Sequence, residues 1–152
     1  WTRNPEIAVL DACRELGVAF VPFSPVARGF LCGPLDIAAF DAKDIRRSMP
    51  RFAPDNYAAN QKLLPAYNSL AQEAGCSPSQ LALAWLLHKG EDLIPIPGTT
   101  SVAHLLDDLG AVDVKLSADL IARVEDLINE RTVVGDRYNA QANSEVDTEV
   151  FA

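Results

Sequence analysis

The chain has 152 residues, 49% of them hydrophobic and 22% charged, which is enough apolar mass for one folded domain and too much for wholesale disorder. A net charge of −8 excludes a broad nucleic-acid surface, because such a surface begins with a basic face. No apolar run reaches the length of a membrane span and no leader pattern is visible, so the sequence reads as cytoplasmic with no membrane partner.

Asn4-Pro5-Glu6 has the form of a helix start, with a capping side chain, proline at the first helical position and a carboxylate near the positive end. Ile7, Leu10, Cys13 and Leu16 continue it at helical spacing, and Gly17 supplies the stop. A short buried strand is expected at residues 18–23. Residues 27–55, with Pro34, Pro50 and Pro54, read as a long irregular stretch of the kind that forms lids or binding loops. Its Arg46, Arg47 and Arg51 are either ordinary surface charges or part of a loop that folds over a ligand.

A helix is expected over residues 61–74, with Pro65 kinking it or shifting its start and Gly75 ending it. Ser77-Pro78-Ser79-Gln80 is a capping-box pattern, and the helix beyond it carries Leu81, Ala84, Trp85 and Leu87 and closes at Gly90. A second strand is expected at residues 93–96, a helix at 102–109, and a final amphipathic helix capped by Ser117. After Gly135 the chain is polar and aperiodic. Cys13, Cys32 and Cys76 are widely separated, contain no CxxC pair and fit reduced thiols. The chain opens on Trp1 and its single methionine is Met49, so a segment before Trp1 is expected.

The strand at 93–96 runs through Ile94-Pro95-Ile96-Pro97 into Gly98-Thr99-Thr100-Ser101, and a helix follows at once. Backbone N–H groups at a helix start attract anions, and hydroxyls add donors without blocking the approach. The turn reads as a phosphate seat, with a purely structural strand crossing as the alternative. Two strands separated by helices imply parallel pairing in a βα repeat.

Two ordered segments, Phe23-Ser24-Pro25-Val26-Ala27-Arg28-Gly29 and Ile96-Pro97-Gly98-Thr99, resemble the last two strands of the aldo-keto reductase barrel, and the Leu81–Leu87 run precedes the second as it does there. The resemblance spans Trp1 to about Tyr138, leaving residues 139–152 as an irregular tail. It implies an α/β fold: the C-terminal portion of a (β/α)8 TIM barrel, strands seven and eight with flanking helices, incomplete as given.

By the same resemblance Phe23 takes the place of the ring that stacks on nicotinamide, with core packing as its alternative. Ser24, Val26 and Arg28 fall where the family holds the pyrophosphate, and Gly98, Thr99, Thr100 and Ser101 match the adenosine-phosphate loop. NADPH is therefore the implied cofactor. NADH stays open, because Thr100 and Ser101 stand where NADPH-preferring members place Lys or Arg. His104 is the nearest candidate cation, or a surface residue. Asp107 and Asp108 replace the family's adenine-side Glu-Asn pair, or form a solvated helix face.

The resemblance also implies an enzyme that reduces an aldehyde or ketone to an alcohol, with a small-molecule carbonyl substrate and the remaining N-terminal part of the barrel as partners. The family's catalytic Asp, Tyr, Lys and His come from earlier strands and none is matched here, so no catalytic residue and no metal ligand is assigned and the chain alone is expected to be inactive. Tyr57, Tyr67 and Tyr138 read as loop, helix and tail residues. The alternatives are a non-catalytic dinucleotide-binding or regulatory barrel, and a half-barrel that assembles with copies of itself.

Overall fold

Helices carry most of the ordered backbone, and the residues at their ends explain where they begin and stop. The computed structural model describes residues 1–151. The helices are α1 Val9–Leu16, α2 Pro54–Gln61, α3 Leu64–Glu73, α4 Pro78–Lys89, α5 Val102–Leu109, α6 Ala118–Leu127 and α7 Ala140–Asn143. Among the described residues no helix is long and apolar enough to cross a membrane.

Two of the caps read from the sequence, at Ser77 and Ser117, are present. Ser77 Oγ accepts from the Gln80 amide and Gln80 Oε1 accepts from the Ser77 amide, both at 3.1 Å, closing the capping box of α4. Ser117 caps α6 through the Leu120 amide, and Ser101, read only as a turn residue, caps α5 through the His104 amide. Gly17 ends α1 in the left-handed conformation that glycine adopts without penalty.

Four expectations change. Asn4–Glu6 forms only a 3-10 turn, and the Asn4 side chain donates to the Glu149 carbonyl, so α1 begins at Val9. The helix expected over 61–74 is α3, its start shifted to Leu64 with Pro65 in the first turn, and an additional helix, α2, precedes it where none was expected. Residues 27–55 form no detached lid but a chain of 3-10 turns that delivers Phe30, Leu31, Met49 and Phe52 to the core. The aperiodic tail contains α7, capped by the Asn139 side chain on the Ala142 amide.

The strands differ most. Among the described residues the sheet is reduced to two parallel single-residue bridges, Phe20 with Leu93 and Phe23 with Ile96. The Phe20 amide donates to Asp92 (2.8 Å), and the amides of Ile94 and Ile96 donate to Phe20 (2.9 Å) and Pro22 (3.3 Å). The ladder breaks because the next donor in register belongs to Pro22, which has none. Amides alternate sides along an extended segment, so Pro95 and Pro97 face the opposite edge.

The core lies between α3, α4, α6 and the 27–55 segment. Phe30, Leu81 and Tyr67 are almost wholly enclosed, packed with Phe52, Leu70, Ala71, Leu120 and Val124. At α4's far end, Trp85 lies between the cations of Arg3 and Lys89 (5.0 and 4.7 Å from the ring centroid) and donates to Glu125, which also pairs with Lys89.

A buried asparagine joins the C-terminal segment to this core. The fully enclosed Asn60 side chain accepts from the Val134 amide (2.8 Å) and donates to the Val134 carbonyl (2.9 Å). Gly135 follows at φ +91°, so close to its neighbours that an added Cβ would meet Asn56 Nδ2 at 2.8 Å and the Arg51 amide at 3.2 Å. Asn60→Ala strands two backbone groups, and chemical denaturation is expected to show a loss of about 2–4 kcal/mol.

Candidate functional site

The Phe23–Ile96 bridge sets the turn after Phe23 beside the turn after Ile96. In the first turn Ser24, Ala27 and Arg28 all take left-handed φ values of 52°, 53° and 56°, and Gly29 follows at 91°. Each non-glycine residue there costs roughly 1–2 kcal/mol, so neighbouring structure must hold the turn. Inside it, the amides of Ala27 and Gly29 donate to Ser24 (2.9 Å) and Val26 (3.0 Å). Below it, Ala27, Phe30 and Leu31 are buried and Val26 packs against the core. Beside it, Arg46 Nη1 donates to the Arg28 carbonyl at 3.2 Å.

Arg46 is itself fixed. Its Nη2 meets Asp44 Oδ2 at 2.6 Å, its Nε meets Oδ1 at 2.9 Å, and the guanidinium sits 3.8 Å over the Phe40 ring. The Arg46 hydrogen bond holds the Asp44 carboxyl down at about 2. Arg47 donates to the carbonyls of Phe40 and Asp41, so both of these arginines brace the loop.

In the second turn Gly98 stands in open space and Thr99 and Thr100 are exposed. The Ser101 amide donates to Thr99 Oγ1 at 3.1 Å, which orders the turn just before α5. His104 is exposed. The Asp107 carboxylate accepts from the hydroxyls of Ser77 (2.7 Å) and Ser79 (2.5 Å), fastening α5 to the start of α4. Burial and the neighbouring Asp107 charge raise the Asp108 carboxyl.

Phe23 is 48% exposed. It borders a cavity of about 170 Å³ that Ser24, Arg28, Arg51 and Arg137 also line. The Arg137 guanidinium lies 4.5 Å from the Phe23 ring centroid. Arg137 was not singled out in the sequence: it sits in an aperiodic stretch, and only the Asn60–Val134 clasp brings it here.

Tyr57 lies in α2 and not in a loop, and its hydroxyl donates to the Leu35 carbonyl at 2.8 Å. The Tyr67 hydroxyl donates to the Pro78 carbonyl at 2.9 Å, and burial pushes its pKa up. Both hydroxyls are occupied by backbone and have structural roles.

The family model for the aldo/keto reductase family matches residues 1–129. A probable aldo-keto reductase from Glycine max is 38% identical over 138 residues, covering 91% of this chain and 40% of that protein. Among solved structures, a thermostable aldo-keto reductase in complex with the inhibitor epalrestat is 25% identical, with a TM-score of 0.53 over 83% of this chain and 36% of that one. The chain thus spans about two fifths of the length of the curated relative.

Asp44 is held below the ordinary carboxylate value, so its contribution is complete above about pH 4 and lost as pH falls toward 2. Asp44→Asn should loosen the turn at neutral pH, read as faster hydrogen exchange at the Gly29 and Leu31 amides.

Proposed function

Since the chain belongs to the aldo/keto reductase family, we propose that it forms the cofactor-binding C-terminal part, strands seven and eight, of a (β/α)8 oxidoreductase that reduces an aldehyde or ketone with NAD(P)H. The observation that carries this reading is the half-exposed Phe23 ring, bridged to Ile96 at the meeting point of the two turns. TIM barrels commonly build their phosphate site from the loops after strands seven and eight.

The residues present fit a dinucleotide. Phe23 offers a ring face for the nicotinamide. Ser24, Val26 and Arg28 supply a hydroxyl, backbone and a guanidinium for the pyrophosphate, on a turn whose left-handed residues are already held. Gly98 leaves room for close approach, and Thr99, Thr100 and Ser101 add hydroxyls for the adenosine phosphate. His104 flanks them, and Asp108 faces the adenine side. Asp107, already shared by Ser77 and Ser79, contributes by holding α5 in place.

When bound, the nicotinamide supplies the hydride, and the protein supplies orientation and electrostatics. A proton donor within hydrogen-bond reach of the carbonyl must come from outside these residues, since Tyr57 and Tyr67 are committed to backbone carbonyls. A non-catalytic dinucleotide-binding barrel is the second reading, and an Asp, Tyr, Lys and His set in the rest of the barrel separates the two.

Three measurements test this. The intact protein should oxidise NADPH in the presence of an aldehyde, and these 152 residues alone should not; NADPH binding without turnover would establish the second reading. Phe23→Ala should weaken NADPH binding about three- to tenfold by calorimetry, as loss of one stacked ring predicts. Thr100→Arg should raise the ratio of NADPH to NADH affinity about ten- to a hundredfold, because it adds a charged partner for the 2′-phosphate.

A further inference from the structure

The cavity beside Phe23 holds an excess of positive charge that the chain does not neutralise. Arg28, Arg51 and Arg137 all line it. Among the described residues none of the three forms an ion pair. The other charges at its wall satisfy each other: Glu6 pairs with Arg3 and with Lys89. Burial and then repulsion from Arg137 bring Arg51 down to about 10, while its neighbour Asp136 works in the opposite direction. Burial lowers Arg137 as well, with Arg28 adding to the effect. Cations that repel one another in a half-buried site are the counterpart of a missing anion.

The geometry of Arg51 and Arg137 suits a ligand. Arg51 is held from behind, its Nε donating to the Gly135 carbonyl (3.0 Å) and its Nη1 to Thr2 Oγ1 (2.6 Å), with the guanidinium 5.2 Å from the Trp1 ring centroid. Those bonds leave Nη2 without a protein acceptor. Arg137 is positioned by ring contacts alone, over Phe23 and over Tyr138 (4.9 Å). A guanidinium presents a planar fork that matches a carboxylate. The walls around it are apolar and aromatic, Trp1, Met49 and Phe52 among them. At about 170 Å³ the space is smaller than the 300–1,000 Å³ of drug-sized sites and fits a one-ring compound.

We propose that Arg51 and Arg137 form a carboxylate seat in this cavity, and that the carbonyl compound the protein takes is an aromatic one carrying a carboxylate away from its reacting group. The second half of this rests on the reductase reading above; the seat itself does not. Arg28 lies on the turn assigned to the pyrophosphate. Arg137 instead lies beside Phe23, at the nicotinamide end of the proposed site, the end a carbonyl compound approaches and the adenosine phosphates do not.

The test compares 4-formylbenzoate with its methyl ester as substrates of the intact protein, alongside Arg137→Met and the charge-retaining Arg51→Lys. The acid should have a KM at least tenfold below the ester's. Arg137→Met should raise the acid's KM about ten- to a hundredfold, at least tenfold more than it raises the KM of the ester or of NADPH. Arg51→Lys, which keeps the charge and loses the fork, should raise the acid's KM by a smaller factor in the same direction. Equal KM values for acid and ester, a parallel rise for the ester, or a rise for NADPH as large as the acid's would each overturn the seat. Should neither compound be reduced, the aromatic substrate is overturned, the reductase reading fails as well only if no other aldehyde is reduced, and the seat is tested by calorimetry with terephthalate and no cofactor. Binding that Arg137→Met abolishes upholds the seat, and no binding overturns it.

Discussion

The clasp between Asn60 and Val134 is the contact on which the site side of this molecule depends. One amide side chain stands in for a neighbouring strand, giving the Val134 backbone both a donor and an acceptor inside the protein. A polar group so enclosed is tolerable only when its bonds are made. The clasp fixes Gly135 against Pro50 and Arg51, the Gly135 carbonyl then takes the Arg51 Nε, and two residues later Arg137 reaches the Phe23 ring. A segment from the end of the chain is thereby made a wall of the cavity.

A second constraint operates at the turn after Phe23. Three left-handed non-glycine residues, Ser24, Ala27 and Arg28, would relax in a free peptide. Here the buried Phe30 and Leu31 pull from one side, and Arg46, itself anchored by Asp44 and Phe40, holds the Arg28 carbonyl from the other. Two of the three, Ser24 and Arg28, are residues proposed to meet the cofactor, so on that proposal their backbone is set before a ligand arrives. Net charge says nothing about this place: a chain of −8 overall still concentrates arginines around one small cavity.

What could be read from the sequence was local. Ser77 with Gln80, and Ser117, declare their helices through bonds that span three residues, and the structure contains them. The resemblance of the two turns to aldo-keto reductases likewise rested on contiguous residues, and the family match agrees. Helix α2 was hidden because its buried side is Tyr57 and Asn60, one of them polar, so no apolar stripe marks it. The 27–55 segment lacks periodicity because single aromatics, spaced irregularly, enter the core from separate turns. Arg137 acquires its place through a contact 74 residues apart, which no local pattern encodes.

The prolines at 95 and 97 carry a consequence for solubility. Both stand where the backbone faces away from Phe20 and Pro22, and the Leu93 amide on that side is already spent on the Gly90 carbonyl. The outward edge therefore offers carbonyls and no free amide between residues 93 and 97. Two such edges from separate molecules present acceptor to acceptor and cannot zip together, whereas an ordinary strand with its own amides can still donate to them. The segment thus discriminates against its own copy while remaining receptive to a different strand, a one-way chemistry written in two missing hydrogens.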